Sequence, residues 1–382
     1  MKIGIDARMI KATGIGRYVS NLILNLAKID KKNEYVVFLK KEDFDDFYPP
    51  VGGLPFKNIK KELANFHWYT LSEQIEFPKV LKSANLDLMH FPHFNVPYAY
   101  SKPFIITIHD LTLHRHKTIR ASTKNLLTYN LKHWLYKKII KRSAKKALKI
   151  FTPSEFTKTE IIKILKIRPE KIIVTKEGGA SDELLKTKAD KNVFKKFKIE
   201  KPYLLYVGNS YPHKNLSRLV EILKLLKKDI NLVLAGKTDE FYQRLREEIA
   251  RDLKKQVVIT GYVTDSELVA LYKNASVYVF PSLNEGFGLP PLEAMAFGVP
   301  VVSSNTSCLT EILGEAALYF DPLDTKDMAK KIKTALDNKE LRQKLIVLGH
   351  KQIKKYSFKK MAKETLDVYN EIDVKFQSSN VK

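Results

Sequence analysis

An α/β fold built from two doubly wound parallel sheets is what this sequence predicts. Short apolar runs rich in Val, Ile and Leu alternate with stretches of helical periodicity, the pattern of strand–helix–strand units. The alternation runs through twice, once in each half of the chain. A polar and charged stretch, GGASDELLKTKADKNVFKKFKIEK (178–201), parts the two series. At 382 residues the chain also suits two domains of roughly 150 residues or a little more.

The first series opens with KIGID (2–6), a buried strand, then a glycine turn and the helix VSNLILNLAK (19–28). YVVFLK (35–40), LDLMHF (86–91), PFIITIHD (103–110) and KIFTPSE (149–155) are its further strands. The second series runs PYLLYVGN (202–209), the helix NLSRLVEILKLLKK (215–228), INLVLAGK (230–237) and a charged helix to Lys255. QVVITGYV (256–263), the helix ELVALYKNA (267–275), SVYVFPS (276–282) and VPVVSSN (299–305) complete it. Helical patterns then continue from Thr325. The domains predicted are 1–185 and 186–382, each Rossmann-like, with the last helices packing back on the first domain.

Composition narrows the class. One cysteine, Cys308, excludes an intramolecular disulfide and fits a reducing compartment. MKIGIDARMI lacks a charged segment followed by an apolar one, so no secretory leader is expected. No apolar run approaches the ~18 residues of a membrane span. A cytoplasmic protein is therefore expected. Sixty-seven Lys and Arg against 42 Asp and Glu give a net charge of +25, a field that favours polyanions. Nucleic acid, an anionic membrane surface and phosphorylated substrates all fit it. No nucleic-acid-binding motif accompanies the charge, and GIGRYV (14–19) lacks the third glycine of a dinucleotide fingerprint. A nucleic-acid-binding protein and a Rossmann dehydrogenase are thus the weaker alternatives.

The chemistry concentrates in NEGFGLPPLEAMAFGVPVVSSN (284–305), which sets Glu285 and Glu293 on a Gly/Pro-rich loop after a strand. Pro290 and Pro291 suit a helix start, which puts Glu293 in the first helical turn and Glu285 on the loop before it. Both acids then lie beyond the carboxyl end of a parallel strand, where open α/β sheets bind ligands. The helix start offers an anion site, and the acids offer acceptors for ribose and sugar hydroxyls. Read singly, Glu293 complements a helix dipole and Glu285 is solvated.

The whole string decides between these readings. EGFGLPPLEAMAFGVPVVSS resembles the E-x7-E signature of retaining glycosyltransferases of family 4, which have the GT-B architecture of two Rossmann-like domains facing a cleft. The resemblance extends through IDARMIKATGIGRYVSNLI, DLMHFPHFNVP, FIITIHDL, TPSEFTKTEII, YVGNSYPHKNL, GYVTDSELVALYKNA and SCLTEILGEAALYFDPLD, almost the entire chain. It implies that Glu285 contacts the donor sugar's hydroxyls and Glu293 the nucleotide ribose. Gly286, Phe287, Gly288 and Leu289 become backbone partners of sugar and pyrophosphate. Lys214 becomes the cation on the pyrophosphate, with Gly208 and His213 beside it. Asn209 or His213 stands where the family often carries Arg. Tyr262 and Val263 fall among the donor-binding positions. Gly14 and Gly16 let backbone approach the donor phosphate, and His109 faces the transferring sugar as a neutral or partly charged imidazole.

The resemblance also sets the expected activity. It implies transfer of a hexose, mannose from GDP-mannose first and a UDP-hexose second, to a saccharide or lipid-linked acceptor of surface-polysaccharide assembly. No metal and no other cofactor are expected. A DxD triplet occurs at Asp43-Phe44-Asp45, but it sits in an acidic run far from the loop, and three-residue matches arise easily by chance. In YKKIIKRSAKKALK (136–149), Tyr136, Ile139, Ile140, Ala144, Ala147 and Leu148 share one helical side, while lysines and Arg142 share the other. That helix either covers a core with a solvated basic face or makes a peripheral contact with anionic membrane.

Overall fold

The computed structural model describes residues 1–47, 57–115, 126–226 and 229–380. The chain forms two compact units. One comprises Met1–Leu111, Lys124–Gly178 and Ser357–Lys382, the other Thr112–Thr123 and Gly179–Tyr356. The passage between the series thus falls at 178–179 rather than at 185–186, and the chain's last stretch returns to the first unit.

The first unit holds β1 (Lys2–Asp6), β2 (Glu34–Leu39), β3 (Ile59–Leu63), β4 (Leu88–Phe91), β5 (Phe104–Thr107), β6 (Ile150–Thr152) and β7 (Ile172–Val174). Their order across the sheet is β3-β2-β1-β4-β5-β6-β7, all parallel. The second unit holds β8 (Tyr203–Val207), β9 (Asn231–Ala235), β10 (Val257–Gly261), β11 (Val277–Phe280), β12 (Val301–Ser304) and β13 (Ala317–Phe320). Their order is β10-β9-β8-β11-β12-β13, again all parallel. Every residue of β4, β5, β11 and β12 is buried, as a sheet covered on both faces requires.

Both sheets reverse their order once, between β1 and β4 and between β8 and β11. The helices that follow the strands on either side leave in opposite directions there, and a crevice opens at the carboxyl ends. These two switch points are where the fold offers ligand sites.

Three strands escape the sequence pattern. β3 reads IKKEL, and its charged residues suit an edge strand that must not recruit another chain. β7 is only three residues long at the opposite edge, and β13 closes the second sheet. The first helix also begins earlier than expected. It spans Thr13–Ile29, so Gly14 and Gly16 lie in its first turn and not in a preceding loop. A Cβ on Gly16 would stand 2.3 Å from the Ile10 carbonyl oxygen, so close packing of backbone on backbone demands glycine there.

Tyr18, Val19, Leu22, Ile23 and Leu26 form the buried stripe of that helix, which packs against the helix Phe358–Asn380. Tyr369 of the latter is fully buried and its hydroxyl lies 2.7 Å from His90 Nδ1. The helices Thr325–Asp337 and Lys339–Ile353 stay with the second unit. The run 215–228 folds as Leu216–Glu221 and Leu223–Leu226, and its residues 227–228 lie outside the described residues.

The basic helix spans Leu126–Lys146. Ile140, Ala144 and Ala147 are buried as the periodicity predicts, but Leu148 lies past the helix end and is 40% exposed. Lys138, Lys141, Lys145 and Lys146 are exposed, whereas Arg142 places its guanidinium 4.3 Å from the centre of the Tyr98 ring. Among the described residues no helix is long and apolar enough to cross a membrane.

Candidate active site

The second switch point is built by three short segments. β8 ends at Val207, and Gly208 turns the chain away with a φ of +151° that a side chain would obstruct. A single helical turn, Pro212–Lys214, follows, closed by Asn215 in the left-handed conformation. The Asn215 amide donates to the carbonyls of Pro281 (3.1 Å) and Pro322 (2.8 Å), which fastens this turn to the end of β11. The Leu283 N–H donates to the His213 carbonyl at 2.7 Å as a second fastening.

These ties bring together residues 71 positions apart: Lys214 Nζ lies 2.6 Å from Glu285 Oε1. Both side chains are largely buried, 15% and 13% exposed. Coulombic attraction is strong in such a partly dry setting, and neither charge is easily dispensed with. The Glu285 N–H donates to Ser307 Oγ at 3.1 Å, and Ser307 itself takes a left-handed φ of +55°. Glu285 is thus held at its backbone and at its carboxylate.

The helix after the loop runs Leu289–Ala296, with Gly288 at φ +102° before it. Pro290 and Pro291 carry no N–H. Of the donors that a helix start leaves unpaired, Gly288 and Leu289 therefore supply the remaining ones. Glu293 falls in the second turn, not the first, because the helix starts at Leu289 and the prolines take its next two positions. Its side chain is buried, and the Tyr272 hydroxyl donates to Oε2 at 2.9 Å. Tyr272 belongs to the helix Asp265–Asn274, begun by a reciprocal cap between Thr264 and Glu267. Phe287 is buried, and its carbonyl accepts a weak bond from Cys308 Sγ at 3.3 Å; burial pushes that thiol's pKa well up. Tyr262, exposed, and Val263 follow β10 at the sheet's edge, two strands from β8.

In the first unit, β5 ends at Thr107 and His109 lies just beyond it. Its Nδ1 is 3.0 Å from Glu177 Oε1 and its Nε2 is 3.0 Å from the Pro92 carbonyl. Both partners are acceptors, so both ring nitrogens must carry protons. Burial alone would push the His109 pKa down, but the Glu177 carboxylate and the Pro92 carbonyl together raise it above the ordinary value. Of the neutral or partly charged imidazole that the resemblance implies, this setting favours the charged form, with both nitrogens engaged by Glu177 and Pro92. Tyr18 meets it edge-on with ring centres 4.8 Å apart. Behind them His90 is held neutral, its pKa pushed down to about 3 by burial and the nearby His109 charge. His90 Nε2 bonds Thr107 Oγ1 (2.9 Å), which in turn meets the Tyr18 hydroxyl (3.1 Å).

A raised folded pKa means that the His109–Glu177 pair stabilises the fold fully below the unfolded value of ~6.5. That contribution is lost as pH rises through the folded pKa. Thermal melts from about pH 5.5 to 8.5 should show Glu177→Gln losing less stability across the upper half than wild type. Parallel pH slopes in the two proteins would contradict the ion pair.

Gly14 has open space around it, so the structure gives no steric reason for glycine there. Of the DFD triplet, Asp43 is buried with Lys11 Nζ at 3.1 Å, while Asp45 is exposed. Among the described residues no three His, Cys, Asp or Glu side chains gather as a metal site. Sequence reasoning missed Glu177, Asn215, Ser307 and Tyr272. Glu177 lies 68 residues from His109, and only the folded sheet brings them together.

Two parallel-sheet units, each with a switch-point site, match the GT-B architecture. The structure matches sucrose-phosphate synthase from Thermosynechococcus elongatus with a TM-score of 0.76 at 19% identity, covering 98% of this chain and 99% of that one. The profile "Glycosyltransferase Family 4" matches residues 12–178 and "Glycosyl transferases group 1" matches 188–352, so the chain belongs to the group 1, family 4 glycosyltransferases. It is 29% identical to O-antigen chain mannosyltransferase B of Escherichia coli, over 97% of this chain and 99% of that protein. It is 28% identical to O-antigen chain mannosyltransferase RfbU of Salmonella typhimurium, over 70% of this chain and 69% of the relative.

Proposed function

We propose that the protein transfers a hexose from a nucleotide sugar to a saccharide or lipid-linked saccharide acceptor in surface-polysaccharide assembly, with retention of configuration and without a metal. GDP-mannose is the first donor to consider, because the relatives alike over most of the chain are O-antigen mannosyltransferases. The observation that carries the reading is the Lys214–Glu285 pair at the β8/β11 switch point, on the loop that leads to the helix start at Gly288 and Leu289.

That cluster suits a sugar diphosphate. Lys214 and the helix start meet the negative charge of the pyrophosphate. Glu285 accepts from sugar hydroxyls, and Glu293, oriented by Tyr272, accepts from the ribose. As the sugar's bond to the phosphate oxygen breaks, the acceptor oxygen bonds the same carbon on the same face. The acceptor's proton passes to the departing phosphate oxygen, so no enzyme carboxylate is consumed as a nucleophile. Negative charge grows on the leaving nucleotide diphosphate, and Lys214 stabilises it. The first unit takes the acceptor.

A thermal-shift panel of GDP-, UDP-, dTDP- and ADP-sugars tests this. One nucleotide class should raise the melting temperature in EDTA, with GDP-mannose expected to lead. Equal melting curves with and without every nucleotide would remove the donor reading.

A further inference from the structure

The first unit's switch point holds a small hollow, partly open to solvent and with room for about one water-sized group, lined among others by Asp6, Arg8, Trp68, Pro92, His93 and Asn95. A single hydroxyl fits that space and a sugar ring does not. Pro92 in its wall is the residue whose carbonyl holds His109. We propose that this hollow seats a hydroxyl of an uncharged pyranoside, and that the protein thereby selects a neutral sugar over a phosphorylated one as acceptor. The proposal rests on the glycosyltransferase reading given above.

The first ground is an unmet acceptor. Asn95 is 3% exposed, and its amide nitrogen donates to Glu73 Oε1 at 2.7 Å. A carboxylate only accepts, so this bond fixes which way the amide points. The Oδ1 is left buried with no partner, a condition that folded proteins seldom tolerate unless a ligand or water completes it. The second ground is a donor of known tautomer. The Asn95 N–H donates to His93 Nδ1 at 3.3 Å, which leaves the proton on Nε2. Burial pushes the His93 pKa down to about 3, so the ring is neutral. A hydroxyl both gives a proton to Asn95 Oδ1 and takes one from His93 Nε2. A phosphate dianion seated there gives none and an ammonium takes none, while discrimination against a sugar phosphate, which keeps hydroxyls of its own, rests on charge.

Charge points the same way, although the whole chain is basic. Arg8 is 2% exposed and bonds Asp6 at 2.7 Å and Glu73 at 2.8 Å. One positive group against two negative ones leaves the cluster at −1, so the guanidinium is already engaged by carboxylates and the cluster as a whole gives a phosphate no net attraction. Lys40, 4.8 Å from the centre of the Trp68 ring, is itself paired with Glu42.

The chain has two tryptophans, so Trp134→Phe leaves Trp68 as the sole reporter at the hollow. Fluorescence of that protein is titrated with methyl α-mannopyranoside and with mannose 6-phosphate, without nucleotide. The neutral glycoside should perturb Trp68 and bind about tenfold more tightly than the phosphate ester, and Asn95→Ala should weaken it by about tenfold. His93→Phe, whose melting curve is checked alongside, should weaken it similarly and keeps the test valid if Asn95→Ala misfolds. Equal or tighter binding of mannose 6-phosphate, or no effect of either substitution, overturns the proposal, as does silence of Trp68 up to about 100 mM glycoside. No nucleotide sugar enters this titration, so its failure is distinguishable from failure of the donor panel.

Discussion

Lys214→Ala should turn over ~10²–10³ times more slowly than wild type, the usual loss when one preorganised charge-stabilising group is removed. In the free protein Lys214 Nζ rests 2.6 Å from Glu285 Oε1, largely out of solvent. A pyrophosphate entering there exchanges one anionic partner of the lysine for another, so the cation needs no large movement to act on the leaving group. Lys214→Arg should recover part of the rate, since charge is kept but the compact ammonium is not. EDTA should leave the wild-type rate nearly unchanged, and Asp45→Ala, at an exposed position, should be close to silent. Initial rates with the preferred donor measure all of this. A rate abolished by EDTA and restored by Mg²⁺ or Mn²⁺, with Lys214→Ala near wild type, would return attention to the DFD triplet.

Glu293→Ala should weaken the free nucleotide diphosphate and the nucleotide sugar alike, by about ten- to a hundredfold, because hydrogen bonds to a charged acceptor are lost. Glu285→Ala should leave the free nucleotide nearly unaffected and cut turnover, since its partner is the sugar. The buried site of Glu293 and its bond from Tyr272 add a structural cost, so Glu293→Gln is the informative control. Gln keeps an acceptor for the tyrosine but loses the charge. Equal nucleotide affinity in wild type, Glu293→Gln and Glu293→Ala would remove the ribose assignment.

The sequence foretold the sheets where burial dictates composition. FIIT, VYVF and VVSS are buried along their whole length and KIGID through its middle, so these runs are short, apolar or β-branched for the most part and stand out. It was silent where burial relaxes: β3 carries Lys60, Lys61 and Glu62 because an edge strand tolerates them. Glu285 and Lys214 stood out because glycines and prolines punctuate the turns that carry them. What holds them was invisible. Asn215 looks like any helix-start asparagine until its left-handed backbone and two carbonyl bonds are seen, and Tyr272 reads as one more apolar-face residue. His109 was legible as a strand-end histidine, yet its charge state depends on Glu177 and Pro92, which the sequence scatters and the parallel sheet gathers. The one-turn error at Glu293 arose at a helix boundary, where pattern reading is weakest.

That the second switch point grips a nucleotide sugar without metal is tested most directly by calorimetric titration in EDTA. The nucleotide sugar that most raises the melting temperature is titrated into wild type, Lys214→Ala and Glu293→Ala. Wild type should bind with one site per chain, and both variants should bind at least about tenfold more weakly at a temperature where their own melting curves show them folded. Binding that appears only with a divalent ion, or that is equally tight in all three proteins, would contradict the site.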